Sequence, residues 1–161
     1  SYFSKYKNIW RHGDYAEFTK NNGIIIHGRS DTTLNSGGVR IGTAEIYRTV
    51  ENINSVNECL VTELILKNDT NIVMFVKLNN GIKLNKNLSK KIINIIKKEL
   101  SPRHVPKEII QVSDIPRTKN GKIVELAIKN LINGKKVENI NSLANPECLN
   151  DFKNIIELIK L

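Results

Sequence analysis

Three short segments of this chain place glycine beside charged side chains. They are Trp10-Arg11-His12-Gly13-Asp14, the stretch that runs from Gly28-Arg29-Ser30-Asp31 through residues 35–45, and the basic segment 116–123. A carboxylate offers two acceptor oxygens, an arginine offers a planar fork that suits phosphate, and a lysine offers a point charge on a flexible stem. Binding or catalytic chemistry is therefore expected in these segments before any others.

Each segment, taken alone, also has an ordinary structural explanation. Gly13-Asp14 is a common turn pair, and Gly37-Gly38 could simply close a hairpin. Lys122 and Arg40 could be solvated surface residues, as most lysines and arginines are. The histidines lack metal-ligand spacing, and no Ser-His-Asp or Cys-His set is apparent. We therefore expect no metal ligands in this chain.

The composition is that of an ordinary globular protein. The chain has 161 residues, with 40% hydrophobic and 25% charged, which suits one domain with an appended tail. The net charge of +9 leaves a polyanionic partner such as nucleic acid open. Aromatic content, however, is only 6% and is not interleaved with the basic residues, so a lysine-rich surface is the simpler interpretation. No stretch approaches the roughly 20 apolar residues of a membrane helix, and no membrane partner is expected.

The cysteines indicate the cellular compartment of the protein, and the first residues bear on whether the chain is part of a longer protein. Cys59 and Cys148 stand far apart and match no metal or redox spacing. We expect both to be small buried hydrophobic residues in a cytoplasmic protein. No initiator Met precedes Ser1, so we expect the chain to be part of a longer protein.

The front of the chain predicts two turns and a helix. Residues 15–19 alternate in polarity and residues 24–27 are β-branched, so Asn21-Asn22-Gly23 between them predicts a hairpin turn. A second turn is expected at Asn35-Ser36-Gly37-Gly38. Thr43 is expected to cap the helix that follows it.

The rest of the chain predicts strands and helices in mixed order. Strands are expected at residues 59–66, 72–78 and 108–112, and helices from Asn85 to residue 100 and over residues 125–132. Asn145-Pro146 is expected to open a last helix. The sum is a compact α+β fold, in which a small sheet has flanking helices and an N-terminal β-hairpin.

The ordered set of motifs resembles the adenylate-forming superfamily of acyl-coenzyme A synthetases. Gly-Asp before a strand, Gly-Arg-x-Asp, Gly-x-Arg-Ile-Gly-x-x-Glu and Pro-Arg-Thr-x-x-Gly-Lys occur in that order over residues 10–123. Three strings look like the acetoacetate-activating branch of this superfamily, at residues 10–15, 101–106 and 143–147. The presence of a tail after the basic segment 116–123 is also similar to that branch. The resemblance covers nearly the whole chain.

The resemblance implies roles in a reaction of two halves. A carboxylate attacks the α-phosphorus of ATP, and the thiol of coenzyme A then displaces AMP from the acyl-adenylate. Lys122 is implied as the cation of the first half, where charge develops near phosphate oxygens. Asp14 is implied as the acceptor of the ribose hydroxyls, and Arg29 as a second ribose contact.

Other residues are implied in the second half. Asp31 falls at the hinge on which the small domain swings between the two half-reactions. Gly38 would let the pantetheine arm pass close to the backbone, and Arg40 would meet phosphate during thioester formation. Lys97 stands where acetyl-coenzyme A synthetases have an arginine that contacts a coenzyme A phosphate; it keeps the charge and loses the bidentate geometry. Glu45 is interpreted as helix-start electrostatics.

The resemblance also implies the organisation and partners of the chain. Residues 1–30 would end the large-domain region and form the hairpin that leads to the hinge, residues 31–134 would be the mobile catalytic domain, and residues 135–161 a helical tail. The implied small molecules are ATP, coenzyme A, acetoacetate and Mg²⁺, which would be bound mainly by the chain's own large amino-terminal domain. Alternatives are an acetate or propionate ligase domain, and a basic module that binds nucleotide or nucleic acid without catalysis.

Overall fold

The computed structural model describes residue 3 and residues 5–66, 69–137 and 139–159. Residues 138, 160 and 161 of the predicted tail therefore lie outside the described residues. The chain forms an N-terminal hairpin, a second short hairpin, a mixed sheet and several helices. The predicted α+β fold class is confirmed.

The strands of the described residues form three separate sheets. Strands β1 (Asp14–Phe18) and β2 (Ile24–Arg29) pair antiparallel, as do β3 (Leu34–Ser36) and β4 (Val39–Ile41). The largest sheet has the order β5-β6-β7, made of Val56–Ile65, Thr70–Leu78 and Glu108–Gln111. In that sheet β5 is antiparallel to the central strand β6, and β7 is parallel to it.

Within the described ranges, four α-helices complete the fold. They are α1 (Thr43–Val50), α2 (Lys86–Glu99), α3 (Glu125–Ile132) and α4 (Leu149–Ile159). Helix α2 begins where predicted, because the Asn85 side chain accepts a hydrogen bond from the Leu88 backbone N–H at 2.9 Å. Helix α3 has the predicted bounds, and Gly134 follows it with φ of 70°, the left-handed conformation that ends many helices.

The mixed sheet divides the hydrophobic core into two layers. Successive side chains of a strand point to opposite faces, so Met74 joins one layer and Phe75 the other. The first layer packs against α1 and α2, and the second packs against α3 and the tail. Tail residues in the second layer are Leu143, Leu149 and Phe152. The tail is thus part of the core.

Two details of the helix starts differ from the sequence-based predictions. Thr43 was expected to cap α1, but it is the first helical residue, and Gly42 precedes it as the cap. The Gly42 backbone N–H is instead satisfied by the Glu45 carboxylate at 3.3 Å. Pro146 does not open the last α-helix; it opens a 3-10 turn, Pro146–Cys148, that leads into α4.

Glycine at position 42 is required by a close backbone approach. A Cβ added to Gly42 would lie 2.3 Å from the His27 carbonyl oxygen of β2. We expect Gly42→Ala to lower the free energy of unfolding of the chain by about 1–3 kcal/mol, because α1 and β2 must separate. Gly23→Ala, whose Cβ would meet only the Thr19 hydroxyl at 3.1 Å, is the matched control. Equal urea midpoints for the two variants would contradict this account.

Both cysteines are free and buried, as predicted. Burial raises the pKa of the Cys148 thiol to about 11 and raises that of Cys59 well above its ordinary value. Both side chains are therefore protonated thiols at neutral pH, which are poor nucleophiles. In the described part of the chain, no helix is long and apolar enough to cross a membrane.

Candidate functional site

The predicted ribose contacts lie opposite each other at one end of the first hairpin. Asp14 of β1 pairs in register with Arg29 of β2. The Arg29 Nη1 lies 4.0 Å from Asp14 Oδ1. The guanidinium also covers Gly13, since a Cβ on Gly13 would lie 3.2 Å from Arg29 Nη2. The hairpin register therefore brings together two residues that are fifteen positions apart in the sequence.

The loop before β1 is tied to the end of β2. His12 Nδ1 lies 2.5 Å from Asp14 Oδ2, so one carboxylate oxygen already has a partner. The Ser30 hydroxyl donates to the Gly13 carbonyl at 2.9 Å, and the Arg11 guanidinium donates to that hydroxyl at 3.1 Å. The Asp14 side chain is still a quarter exposed. A polar ligand at this edge can therefore reach the carboxylate.

The predicted hinge residue is held by side chains on both sides. Arg29 binds Asp31 with two donors, Nε to Oδ1 at 3.3 Å and Nη2 to Oδ2 at 3.1 Å. The Lys129 ammonium of α3 donates to the Asp31 carbonyl at 3.2 Å and forms an ion pair with Glu63 at 3.2 Å. These contacts fix the segment in the arrangement seen here.

A buried network next to the hinge was not predicted. The Thr32 hydroxyl donates to Glu125 Oε2 at 2.6 Å, and the Tyr47 hydroxyl donates to the other oxygen of the same carboxylate. Burial, together with the negative charge of Glu125, raises the pKa of Tyr47 well above its ordinary value. Tyr47 therefore stays a neutral donor. No local pattern could reveal this network, because Thr32 and Glu125 are 93 positions apart.

The second short hairpin carries Gly38 and Arg40. Gly37 and Gly38 have φ of 57° and 83°, values that favour glycine in a two-residue hairpin turn. A Cβ on either glycine would meet no atom within 4 Å, so this turn faces open space. Arg40 is exposed on β4, opposite Asn35. The Asn35 backbone N–H donates to the buried Glu63 carboxylate, which anchors the hairpin.

Lys122 lies in a tight hairpin of its own. The Thr118 backbone N–H donates to the Lys122 carbonyl at 2.8 Å, and the Gly121 N–H donates to the Thr118 carbonyl at 2.8 Å. Gly121 has φ of 78°. Arg117 closes the turn by donating to the Gly121 carbonyl at 2.5 Å and by pairing with Glu58 at 2.8 Å. The Lys122 side chain is exposed, and among the described residues its ammonium has no hydrogen bond or ion pair.

Lys97 lies in the last turn of α2 and is exposed. The nearby His104 is already engaged, with Nδ1 at 2.8 Å from the Ser101 hydroxyl and Nε2 at 3.3 Å from Glu45. The Glu45 carboxylate therefore contacts His104 as well as the Gly42 backbone N–H at the start of α1. Of the two basic residues that follow α2, Arg103 is exposed and His104 is mostly buried.

The structure brings together some of the predicted residues and separates others. Asp14, Arg29 and Asp31 contact one another through the Arg29 guanidinium. In the described ranges, no hydrogen bond or ion pair joins Lys122 to Arg40 or Lys97. The chain thus presents a polar hairpin edge and two separate glycine hairpins, each with an exposed cation.

The chain is similar to a known protein family and to curated proteins. The family described as AMP-binding enzyme C-terminal domain matches residues 48–122. Acetoacetyl-coenzyme A synthetase of Rhizobium meliloti is 52% identical over 158 residues, which cover 98% of this chain and 24% of the relative. Acetoacetyl-CoA synthetase of Caenorhabditis elegans is 41% identical over 155 residues, 94% of this chain and 22% of the relative. The chain thus spans about a quarter of the length of these curated relatives.

Solved structures share the fold. Acetoacetyl-CoA synthetase from Streptomyces lividans is 38% identical, with a TM-score of 0.87 over 98% of this chain and 24% of that one. An anthranilate CoA ligase is 23% identical, with a TM-score of 0.68 over 75% of this chain and 23% of that one, a likeness of fold alone.

Proposed function

Because residues 48–122 match the AMP-binding enzyme C-terminal domain family, we propose that the chain is the mobile, lysine-bearing part of a cytoplasmic ligase that joins acetoacetate to coenzyme A. The observation that carries the proposal is the exposed Lys122 at the tip of a braced hairpin, in a chain that is 52% identical to a named acetoacetyl-coenzyme A synthetase. The partner of the chain is then its own large amino-terminal domain, which binds most of the substrates.

The proposed reaction has two steps. Acetoacetate attacks the α-phosphorus of ATP, so that a carboxylate–phosphorus bond forms and pyrophosphate leaves. The thiol of coenzyme A, which loses its proton, then attacks the acyl carbon and AMP leaves. Both steps rearrange charge near phosphate oxygens, which is where fixed cations lower the barrier.

Lys122 serves the first step in this proposal. Its hairpin fixes the backbone by hydrogen bonds at 2.8 Å, while the side chain extends into solvent as a mobile point charge. Such a group can enter a site built on another domain and neutralise charge that develops on the α-phosphate. Asp14 and Arg29 position the ribose, since a carboxylate accepts from two adjacent hydroxyls. Positioning of this kind lowers the entropy cost of reaction.

The second hairpin serves the thioester step. The open space around Gly37 and Gly38 allows an extended pantetheine chain to run close to the backbone. Arg40, exposed beside this turn, has the planar fork that binds a phosphate with two donors. Lys97 adds a point charge for a coenzyme A phosphate. Asp31 is the proposed hinge that exchanges the Lys122 face for the Arg40 face.

The resemblance implies a Mg²⁺ ion together with ATP. Within the part of the chain that the structure describes, no three His, Cys, Asp or Glu side chains lie close enough together to hold a metal ion. We therefore assign no Mg²⁺ ligand to this chain.

A competition between acids tests the proposed function. We expect the chain, joined to the preceding region of its protein, to release AMP with acetoacetate at a kcat/KM at least about 10-fold higher than with acetate. The chain by itself is expected to release none. A preference for acetate would overturn the choice of acid. No turnover with any short acid, together with steeply salt-dependent binding to RNA or DNA, would overturn the ligase in favour of a basic binding module.

A further inference from the structure

The tail of the chain pairs with one arm of the lysine hairpin, the turn formed by residues 117–123 around Gly121 and Lys122. Thr118 and Leu143 form an antiparallel bridge. The Ala144 backbone N–H donates to the Arg117 carbonyl at 2.8 Å, and the Lys119 N–H donates to the Ser142 carbonyl at 3.2 Å. The arm of the hairpin that leads toward Lys122 is therefore paired with the tail along its outer edge.

Asn145 closes this arrangement with its side chain. Its Oδ1 accepts from the Arg117 backbone N–H at 2.9 Å, and its Nδ2 donates to the Ile115 carbonyl at 2.9 Å and to Asp114 Oδ2 at 2.5 Å. One amide thus satisfies two backbone groups at the base of the hairpin. These hydrogen bonds join the tail to the backbone of residues 115–117, so the Asn145 side chain acts as a brace.

The brace is fixed to the core at both ends. Asp114 pairs with the Lys77 ammonium of β6 at 2.7 Å. Although partial burial by itself would raise the Asp114 pKa, the hydrogen bonds from Lys77 and Asn145 lower it, so the carboxylate is ionised at neutral pH. On the tail side, Leu143 and Phe152 are buried in the second core layer. The base of the hairpin therefore cannot shift without moving the tail.

We propose that residues 142–145 of the tail are an integral part of the lysine hairpin, and that Asn145 is a positioning residue that sets the direction of Lys122 for adenylate formation. The proposal rests on the function proposed above, in which Lys122 serves the first half-reaction. Asn145 touches no substrate in this account; it acts through the backbone of residues 115–117. A shift of about 1 Å in a catalytic group can cost about 100-fold in rate, so loss of this brace is expected to be visible in kinetics.

The test uses the full-length protein and separates the two half-reactions. Pyrophosphate release with acetoacetate reports adenylate formation, and AMP release from supplied acetoacetyl-adenylate with coenzyme A reports thioester formation. Asn133→Ala is the matched control for Asn145→Ala. Asn133 is likewise half-buried and makes three side-chain hydrogen bonds to backbone groups, of which two tie the end of α3 to β5 and the third goes to the Lys129 carbonyl of α3.

We expect Asn145→Ala to lower kcat for adenylate formation by about 10- to 100-fold, with thioester formation within about 2-fold of wild type. Asn133→Ala is expected to leave the ratio of the two half-reactions unchanged. In a Lys122→Ala background, Asn145→Ala is expected to cause no further loss, because a residue that acts through Lys122 cannot add to its removal. Ala144→Pro removes the N–H that donates to the Arg117 carbonyl and keeps the Asn145 side chain, and the extended backbone of Leu143 can precede a proline. This variant should repeat the selective loss.

Several results would overturn the proposal. They are an equal fall of both half-reactions in the Ala144→Pro variant, the same selective loss in Asn133→Ala, and additive losses in the double variant. If Asn145→Ala fails to fold, Ala144→Pro decides the question in its place. If Lys122→Ala forms adenylate at the normal rate, the role of Lys122 in the proposed function is wrong. If Lys122→Ala is impaired but Asn145→Ala forms adenylate at the normal rate, the proposed function stands and the role of Asn145 is wrong.

Discussion

Lys122→Ala is expected to lower the rate of adenylate formation by about 100- to 1,000-fold, the loss that follows removal of one preorganised charge donor from a transition state. The side chain is exposed and its hairpin is held by backbone hydrogen bonds, so the substitution should leave the fold intact. The rate of pyrophosphate release by the full-length protein, with saturating ATP and acetoacetate, is the measurement.

The control for this variant is Lys119→Ala, which removes the same charge from the same hairpin. Lys119 is also exposed. Its backbone N–H donates to the Ser142 carbonyl of the tail, and within the described part of the chain its ammonium has no hydrogen bond or ion pair. We expect it to change the rate by less than about 2-fold, since a remote exposed charge is screened by solvent. Equal losses in both variants would mean that net positive charge, and not the position of Lys122, is what the reaction uses.

Phe152→Ala is expected to lower the free energy of unfolding by about 3–5 kcal/mol, the cost of removing a fully buried phenyl ring. Phe152 of α4 is 0% exposed, and its ring centroid lies 4.7 Å from that of Phe75 on the central strand β6. The ring therefore joins the tail to the sheet. Urea unfolding of the chain measures the loss as a lower midpoint.

Phe18→Ala is the control for this second variant. Phe18 of β1 is 81% exposed, so the same truncation should change stability by less than about 0.5 kcal/mol. A Phe152→Ala midpoint as high as that of Phe18→Ala would mean that the tail does not contribute to the core, and the role assigned to the tail would fail with it.

Much of the architecture was predictable because it depends on local chemistry. Asn22, between the first two strands, has φ of 57°, as expected of asparagine in a tight turn. Asn85 caps α2 through its own side chain. Runs rich in apolar residues predicted the strands β5 and β6, and the helical spacing in α2 predicted a helix. Each of these elements is indicated by residues that are close together in the sequence.

The details that failed depend on neighbours distant in sequence. Gly42 rather than Thr43 caps α1. Position 42 requires glycine because the His27 carbonyl leaves no room for a Cβ there, and nothing near Gly42 in the sequence reveals that contact. The same holds for Glu125, which receives hydrogen bonds from Thr32 and Tyr47. The roles given to Lys122, Asp14 and Arg40 came from ordered motifs, and they remain proposals.

One measurement tests whether the Lys122 face and the Arg40 face of this domain serve different half-reactions. Adenylate and thioester formation are assayed side by side for the full-length wild type, Lys122→Ala and Arg40→Ala. We predict a crossed pattern: Lys122→Ala loses adenylate formation alone, and Arg40→Ala slows thioester formation alone, by about 10-fold or more because a bidentate phosphate contact is lost. If both variants impair the same half-reaction, or neither impairs any, the account is contradicted.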